Sequence, residues 1–170
     1  MSNHFATLET DRLWLRPLEL KDCAPLFDIA QEPDIFQYFP TKSAWSQEKV
    51  DKTIRHQINH WDTMGYGQFA ILLKQNNQFM GWCGLEYLPD TNETEVGYLL
   101  GHTFWGNGYG TEAAKTSVEF GLRDIQLKEI IGLTDPLNIA SQRVLEKSGL
   151  MFSRRQVYFG MEMFRFAIQA

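Results

Sequence analysis

Thr94-Glu-Val-Gly-Tyr-Leu-Leu-Gly-His-Thr-Phe-Trp-Gly-Asn-Gly-Tyr-Gly-Thr-Glu-Ala-Ala-Lys-Thr-Ser-Val-Glu-Phe-Gly-Leu122 reads as a strand, a tight glycine turn and a helix. Val96, Tyr98 and Leu100 recur at every second position, the period of a strand with one buried face. Gly106, Gly108 and Gly110 then fall within five positions. Ala113, Ala114, Ser117, Val118, Gly121 and Leu122 follow at helical spacing, and most are small enough to let the helix lie close to a sheet. Glycine has no Cβ, so a ligand can approach the main chain and unusual dihedrals cost little. A helix that starts directly after such a turn aims free N–H groups and its dipole at one point, which suits an anion, most often phosphate. An ordinary tight turn needs glycine as well, so the stretch alone leaves both readings open.

Two other glycine motifs compete. A P-loop requires a Lys-Ser or Lys-Thr pair behind its glycines, and none stands here at that spacing. The dinucleotide fingerprint is met by Gly108, Gly110 and Ala113, with Asp135 near the expected acidic position. That fingerprint belongs after the first strand of a repeated βαβ unit, whereas here much of the chain, rich in hairpin signals, comes first.

Working outward toward the N-terminus, Leu13 and Leu15 alternate with Arg12, Trp14 and Arg16 in residues 8–18, predicting a first strand closed by Pro17. Asp22 is a candidate N-cap for a short helix carrying Leu26, Phe27 and Ala30, and Ser46 for a second with the stripe Val50, Ile54, Ile58 and Trp61. Gly65 and Gly67 end that helix. Gln68 to Lys74 and Phe79 to Leu88 read as a hairpin about Gln75-Asn-Asn-Gln78, and a second turn at residues 88–93 leads into the central strand. Toward the C-terminus, Lys128 to Leu133 make a return strand after the helix. Asn138 caps a helix bearing Ala140, Val144 and Leu145, stopped by Gly149, and residues 153–168 form a hairpin bent at Phe159-Gly160.

The 170 residues suit one domain over 1–170, without repeats or linker-like tracts. A net charge of −5 argues against nucleic-acid binding through a basic surface and favours a cationic partner. Cys23 and Cys83 have neither metal spacing nor a disulfide framework, no apolar run is long enough to span a membrane, and Met1–Ala6 has no signal-peptide pattern, so a cytoplasmic protein is expected. His56 and His60 stand one helical turn apart, the spacing of a metal pair, but without a carboxylate motif a polar helix face is the better reading and no metal is expected.

Phe104-Trp-Gly-Asn-Gly-Tyr-Gly-Thr-Glu-Ala113 resembles the acetyl-CoA signature of the GNAT superfamily of N-acetyltransferases, written Gln/Arg-x-x-Gly-x-Gly/Ala, with Gly108 and Gly110 on its small positions. Trp105 replaces the usual Gln or Arg, but Trp-Gly-x-Gly-Tyr is typical of the branch resembling the Rim-type acetyltransferases of ribosomal-protein N-termini. The opening Leu8-Glu-Thr-Asp-Arg-Leu-Trp-Leu-Arg16 resembles the start of that branch. Asn138-Ile-Ala-Ser141 through Lys147-Ser-Gly149-Leu150 is similar to a further landmark, with Leu150 in place of Phe.

The resemblance implies an α+β fold, a twisted, mostly antiparallel mixed sheet with helices on both faces and a splayed central strand. It implies transfer of an acetyl group from acetyl-CoA to a primary amine, on a protein N-terminus or a small molecule, by direct attack on the thioester. The backbone of Gly106, Asn107, Gly108, Tyr109, Gly110 and Thr111, with Trp105 beside it, is then the pyrophosphate cradle. Leu99 and Leu100 offer the strand edge to pantetheine, the N–H near Leu100 polarises the thioester carbonyl, and Asn138 bonds the pantetheine amide. Glu95 is the candidate base, with Glu86 a weaker one; Ser141 is the candidate acid, with Tyr158 as alternative. His102 either contacts the ligand or caps the strand, and Trp45, Trp61 and Tyr66 lie where the family shapes its acceptor pocket. Dimers are common in this branch, so a homodimer is among the open oligomeric states. A CoA-binding module without turnover is the alternative function, and a nucleotide oxidoreductase a more distant one.

Overall fold

Among residues 7–170, which the computed structural model describes, the strands are Leu8–Glu9 (β1), Leu13–Pro17 (β2), Gln68–Leu73 (β3), Gln78–Leu88 (β4), Glu93–Leu100 (β5), Glu129–Thr134 (β6), Met151–Tyr158 (β7) and Met161–Gln169 (β8). Met1–Ala6, the stretch read for a signal peptide, lies outside the described residues. The helices are Cys23–Ala30 (α1), Gln47–Met64 (α2), Tyr109–Arg123 (α3) and Ile139–Lys147 (α4). The strands make one sheet in the order β1-β2-β3-β4-β5-β6-β8-β7. Every pairing is antiparallel except β5 with β6, whose connection runs through α3. This is the expected α+β architecture.

The two faces of the sheet are covered separately. Leu15, Ile71, Leu85 and Val96 pack with Ala113, Ala114 and Val118 of α3. On the opposite face Ala70, Trp82 and Leu99 pack with Leu26 of α1 and Val50 and Ile54 of α2. The small face of α3 brings it close: a Cβ at Gly121 would stand 2.6 Å from methyl carbons of both Leu85 and Ile130. Ser46 caps α2 by accepting from Lys49 N–H (3.1 Å), and Gly65 closes it at φ +75°. Phe159 and Gly160, both at positive φ, turn β7 into β8.

Two local expectations are corrected. The predicted first strand is a small hairpin, because Thr10 Oγ1 accepts from Leu13 N–H (2.9 Å) and turns the chain between β1 and β2. Asp22 does not cap α1. Its own backbone is already helical, and its carboxylate accepts from both terminal nitrogens of Arg16 (2.8 Å each) and from Glu19 N–H (2.8 Å).

Between β5 and β6 the described residues register a single pair, Glu95 with Ile131. Beyond it the strands part, so the sheet is open toward Leu100 and Thr134. The closed end is tied by a buried cation. Arg165 of β8 donates to Glu93 at the start of β5 (2.9 Å) and to Glu129 at the start of β6 (2.8 Å), and Tyr158 O–H donates to the second Glu93 oxygen (2.8 Å).

Burial alone would raise the Glu93 pKa, but hydrogen bonds from Thr91, Tyr158 and Arg165, with the charge of Arg165, hold it below the ordinary carboxylate range. Its contribution to stability is therefore complete above the unfolded glutamate value of about 4.3 and is lost as pH falls through the lower folded value. Arg165→Met leaves two carboxylates facing each other without their cation and is expected to cost about 3–5 kcal/mol at neutral pH by urea unfolding. The deficit is expected to shrink as the same titration is repeated at increasingly acidic pH; a pH-independent deficit would contradict this account.

Candidate active site

Where β5 and β6 part, a cavity of about 730 Å³ opens. Tyr98, Leu99 and Leu100 form one wall; Trp105, Gly106, Gly108, Tyr109, Gly110 and Thr111 form the second. Asn138, Ser141, Val144 and Lys147 of the α4 segment form the third, and Ile35, Gln37, Tyr38 and Phe39 between α1 and α2 close it. Of the residues singled out in the sequence, Asn107, Glu95, Glu86, Tyr158, His102, Trp45, Trp61 and Tyr66 are not in the wall.

The glycine turn is built as its composition requires. Gly106 and Gly108 stand at φ +76° and +81°, a region costly for residues with a Cβ. Gly108 begins α3 with no side-chain cap, and Glu112 N–H to Gly108 C=O (3.0 Å) is the helix's first bond. The N–H groups of Tyr109, Gly110 and Thr111 therefore precede any intrahelical acceptor. A phosphate suits that end of the helix, where Gly108 offers no side-chain cap.

The turn is held from outside by residues that the sequence did not single out. Glu112 accepts from Thr10 Oγ1 (2.5 Å), Arg12 N–H (2.9 Å) and Arg12 Nε (2.7 Å). Arg12 also donates from Nη1 to the Asn107 carbonyl (2.9 Å), and its guanidinium lies 4.3 Å from the Tyr109 ring centroid. Burial would raise the Glu112 pKa, but the bonds from Thr10 and Arg12 hold it low. The Leu-Glu-Thr-Asp-Arg opening was the available signal, since Thr10 and Arg12 lie within it.

The ladder decides which main-chain groups face the gap. Gly101 N–H bonds Met80 C=O (3.0 Å), and the Leu99 carbonyl lies so close to Gly81 that an added Cβ there would come within 1.9 Å of it. Alternate residues of a strand address opposite neighbours, so Leu99 turns its main chain to β4 while Tyr98 and Leu100 turn theirs to the gap. Leu99 contributes its side chain to the cavity instead. The Leu100 carbonyl accepts from Trp105 Nε1 (2.8 Å), an indole role for the residue that replaces Gln or Arg in the signature.

Asn138 caps α4 by accepting from Ser141 N–H (3.1 Å). Tyr98 O–H lies 2.6 Å from Ser141 Oγ and 3.1 Å from the Ser141 carbonyl, a hydroxyl pair on the cavity wall. Burial above all, with smaller contributions from Cys83 and Glu95, raises the Tyr98 pKa and keeps the phenol protonated. Tyr98 was read only as a core-facing strand residue; its pairing with Ser141 spans 43 positions and had no local signal.

Glu95 sits at the closed end of the gap. Burial pushes its pKa up to about 8, and Glu86, its cross-strand neighbour on β4, adds repulsion; a hydrogen bond with the Leu133 backbone acts the other way. Tyr158, donating to Glu93, is not among the cavity-lining residues.

The remaining candidates have structural duties. Both ring nitrogens of His60 are engaged: Nδ1–H donates to the Tyr66 carbonyl (2.7 Å) and Nε2 accepts from Tyr87 N–H (3.0 Å). Its partner in the proposed metal spacing, His56, bonds Glu86. His102 donates its N–H to Glu32 (2.7 Å) and packs on Trp105. Trp45 stacks on Phe36, Trp61 is core, and Tyr66 O–H bonds Thr94 (2.9 Å). Among the described residues no helix is long and apolar enough to cross a membrane.

The clamp yields a test. Arg12→Ala is expected to weaken acetyl-CoA binding roughly tenfold by calorimetry, the scale of one charge-assisted hydrogen bond, while the unfolding midpoint changes little because Arg12 is nearly half exposed. Equal affinity in variant and wild type would mean that the turn holds its shape unaided.

Residues 12–151 match the acetyltransferase (GNAT) domain model. YkkB of Bacillus subtilis is 34% identical over 155 residues, 86% of this chain and 86% of YkkB. A crystal structure of an acetyltransferase from Agrobacterium tumefaciens superposes with a TM-score of 0.87 at 24% identity, covering 100% of this chain and 98% of that one. RimL, a ribosomal L7/L12 α-N-protein acetyltransferase solved with coenzyme A, superposes at 0.79 and 17% identity over 94% of this chain and 95% of its own. The glycine turn, the parted strands and the family match converge: this chain belongs to the GNAT acetyltransferases, acyltransferase enzymes that use acetyl-CoA.

Proposed function

We propose that the chain, as one domain over residues 1–170, acetylates a primary amine in the cytoplasm by direct attack on the acetyl-CoA thioester, the acceptor being a protein N-terminus or a small amine. The observation that carries this reading is the free edge of β5, flanked by a carboxyl group poised near neutral pH and by a hydroxyl pair. The pyrophosphate is held by the N–H groups of Gly108 to Thr111, and the pantetheine arm pairs with the main chain of Tyr98 and Leu100 as an added strand. The Leu100 N–H polarises the thioester carbonyl.

Glu95 removes a proton from the ammonium form of the amine, whose lone pair then attacks the thioester carbon. The tetrahedral intermediate collapses by breaking the C–S bond; the thiolate takes a proton from Ser141 Oγ–H, Tyr98 O–H replaces it, and the second proton, shed by the acylated nitrogen, restores the hydroxyl pair by way of solvent. Amide and CoA thiol are the products, and the proton on Glu95 returns to water.

Thiol release against a panel of amines and N-terminal peptides tests this. Glu95→Gln is expected to lower kcat by roughly 10²–10⁴-fold while acetyl-CoA still binds. The wild-type kcat is expected to climb with pH and level off above about 8, because the base must be ionised. Glu95→Gln removes that inflection and leaves any belonging to the amine. Ser141→Ala and Tyr98→Phe are expected to reduce kcat without matching losses of affinity. Acetyl-CoA binding with no thiol released for any acceptor would favour a non-catalytic CoA-binding module, and absence of CoA binding would overturn the reading.

A further inference from the structure

Trp105 is half exposed on the cavity wall, yet it is fixed from four sides. Its indole Nε1–H donates to the Leu100 carbonyl (2.8 Å), and its main-chain N–H donates to the His102 carbonyl (3.1 Å). Asn107 Nδ2 donates to the Trp105 carbonyl (2.9 Å), and the His102 ring stands edge-on to the indole with centroids 4.3 Å apart. His102 is in turn held by Glu32, just past the end of α1. The Glu32 carboxylate accepts from the His102 main-chain N–H (2.7 Å) and lies 3.5 Å from His102 Nδ1. Nε2 of the same ring is buried without a partner, so among the described residues the Glu32 side is the ring's one polar contact. The other Glu32 oxygen packs so near Gly101 that an added Cβ there would stand 3.1 Å from it. A relay of contacts therefore runs from Glu32 through His102 and Trp105 to the Leu100 carbonyl.

That carbonyl lies where the cofactor first reaches the sheet. A strand edge repeats the same N–H and C=O pattern at every second residue, so an added strand finds no fixed starting point on it. β5 breaks the repeat at Leu100. The next residue, Gly101, turns its N–H back to Met80 (3.0 Å), and the Leu100 carbonyl is already engaged by the indole. An arm that leaves the glycine turn therefore meets the Leu100 N–H as the first free main-chain group facing the gap. We propose that Trp105 sets the register in which the pantetheine arm pairs with β5, and that Glu32, acting through His102, holds Trp105 in that role. Both are positioning residues: they fix where the thioester comes to rest. The inference rests on the pairing of the arm with β5 proposed above, and adds what determines its register. Without the indole N–H the Leu100 carbonyl becomes an additional acceptor at the entrance of the gap. An amide of the arm bonds to it, and the thioester is drawn away from the N–H that polarises it. The hold of the turn on the pyrophosphate is untouched.

The test follows the carbonyl stretch of acetyl-CoA labelled with carbon-13 at the thioester, by infrared difference spectroscopy, on wild type, Trp105→Phe and Glu32→Ala. Phenylalanine keeps a ring against His102 and lacks the N–H. Binding to wild type is expected to move the band below its frequency in water, as polarisation by a main-chain N–H requires. Trp105→Phe is expected to return the band most of the way to its position in water. Its acetyl-CoA affinity by calorimetry is expected to stay within roughly threefold, because the turn still holds the pyrophosphate. Glu32→Ala is expected to move the band in the same direction, and the double variant no further than Trp105→Phe alone. A wild-type band retained by Trp105→Phe overturns the inference; if that variant does not fold, a band retained by Glu32→Ala overturns it. Affinity lost in step with the band also overturns it, since the indole would then only support the shape of the site. The two readings fail separately. No band shift on binding to wild type removes the polarising N–H and the register together, whereas a wild-type shift that survives both substitutions removes the register role alone.

Discussion

One backbone pair, Glu95 with Ile131, is the hinge on which this molecule depends. Parallel neighbours ordinarily bond along their whole length, and the crossover through α3 brings β6 beside β5 for that purpose. Here the strands separate after a single register position, and the Arg165 bridge between Glu93 and Glu129 holds them together only where they begin. The main chain of β5 past Glu95 is thereby left with donors and acceptors facing a gap. Such groups need partners. A ligand able to lie along them as an extra strand completes the sheet, which is why an interruption of the sheet can serve as a binding site.

The second constraint is mechanical. A helix N-terminus binds an anion only if the turn before it keeps its shape, and glycines at positive φ provide conformation but no stiffness. The stiffness comes from Glu112, whose carboxylate is bound by Thr10 and Arg12 of the β1–β2 hairpin. The small residues of α3 lay that helix against the sheet, and the clamp ties its first turn to the far edge strands. The N-terminal landmark and the glycine landmark are thus two halves of one contact, although about a hundred residues separate them in the chain.

Electrostatics follow from the same geometry. Glu95 occupies the narrow end of the gap, where water is scarce and Glu86 stands opposite, so its proton is held to about pH 8. Tyr98 and Ser141 occupy the wider end, from β5 and α4. A carboxyl group and a phenol hydroxyl are thus set on the two sides of one strand, as the period-two alternation of β5 requires of residues 95 and 98.

Much of this was readable along the chain. The alternation of Val96, Tyr98 and Leu100, the caps Ser46 and Asn138, the αL residues Gly65 and Gly160 and the small face of α3 are all local, because they depend on backbone dihedrals and on neighbours within a turn or two. Asp22 shows the limit of local rules: a good capping residue was claimed by the partly buried Arg16 guanidinium, which no capping pattern anticipates. The same limit hid the Glu112 clamp, the Tyr98–Ser141 pair and the direction of the Leu99 main chain. From residues alone one could assign the order of elements and the glycine turn that starts α3, and the resemblance named the carboxyl and hydroxyl candidates. Folding alone settled where the sheet parts, which strand edge is free and how far the Glu95 proton is stabilised, because hydrogen-bond partners and dielectric surroundings are set by atoms far apart in sequence that only packing brings together.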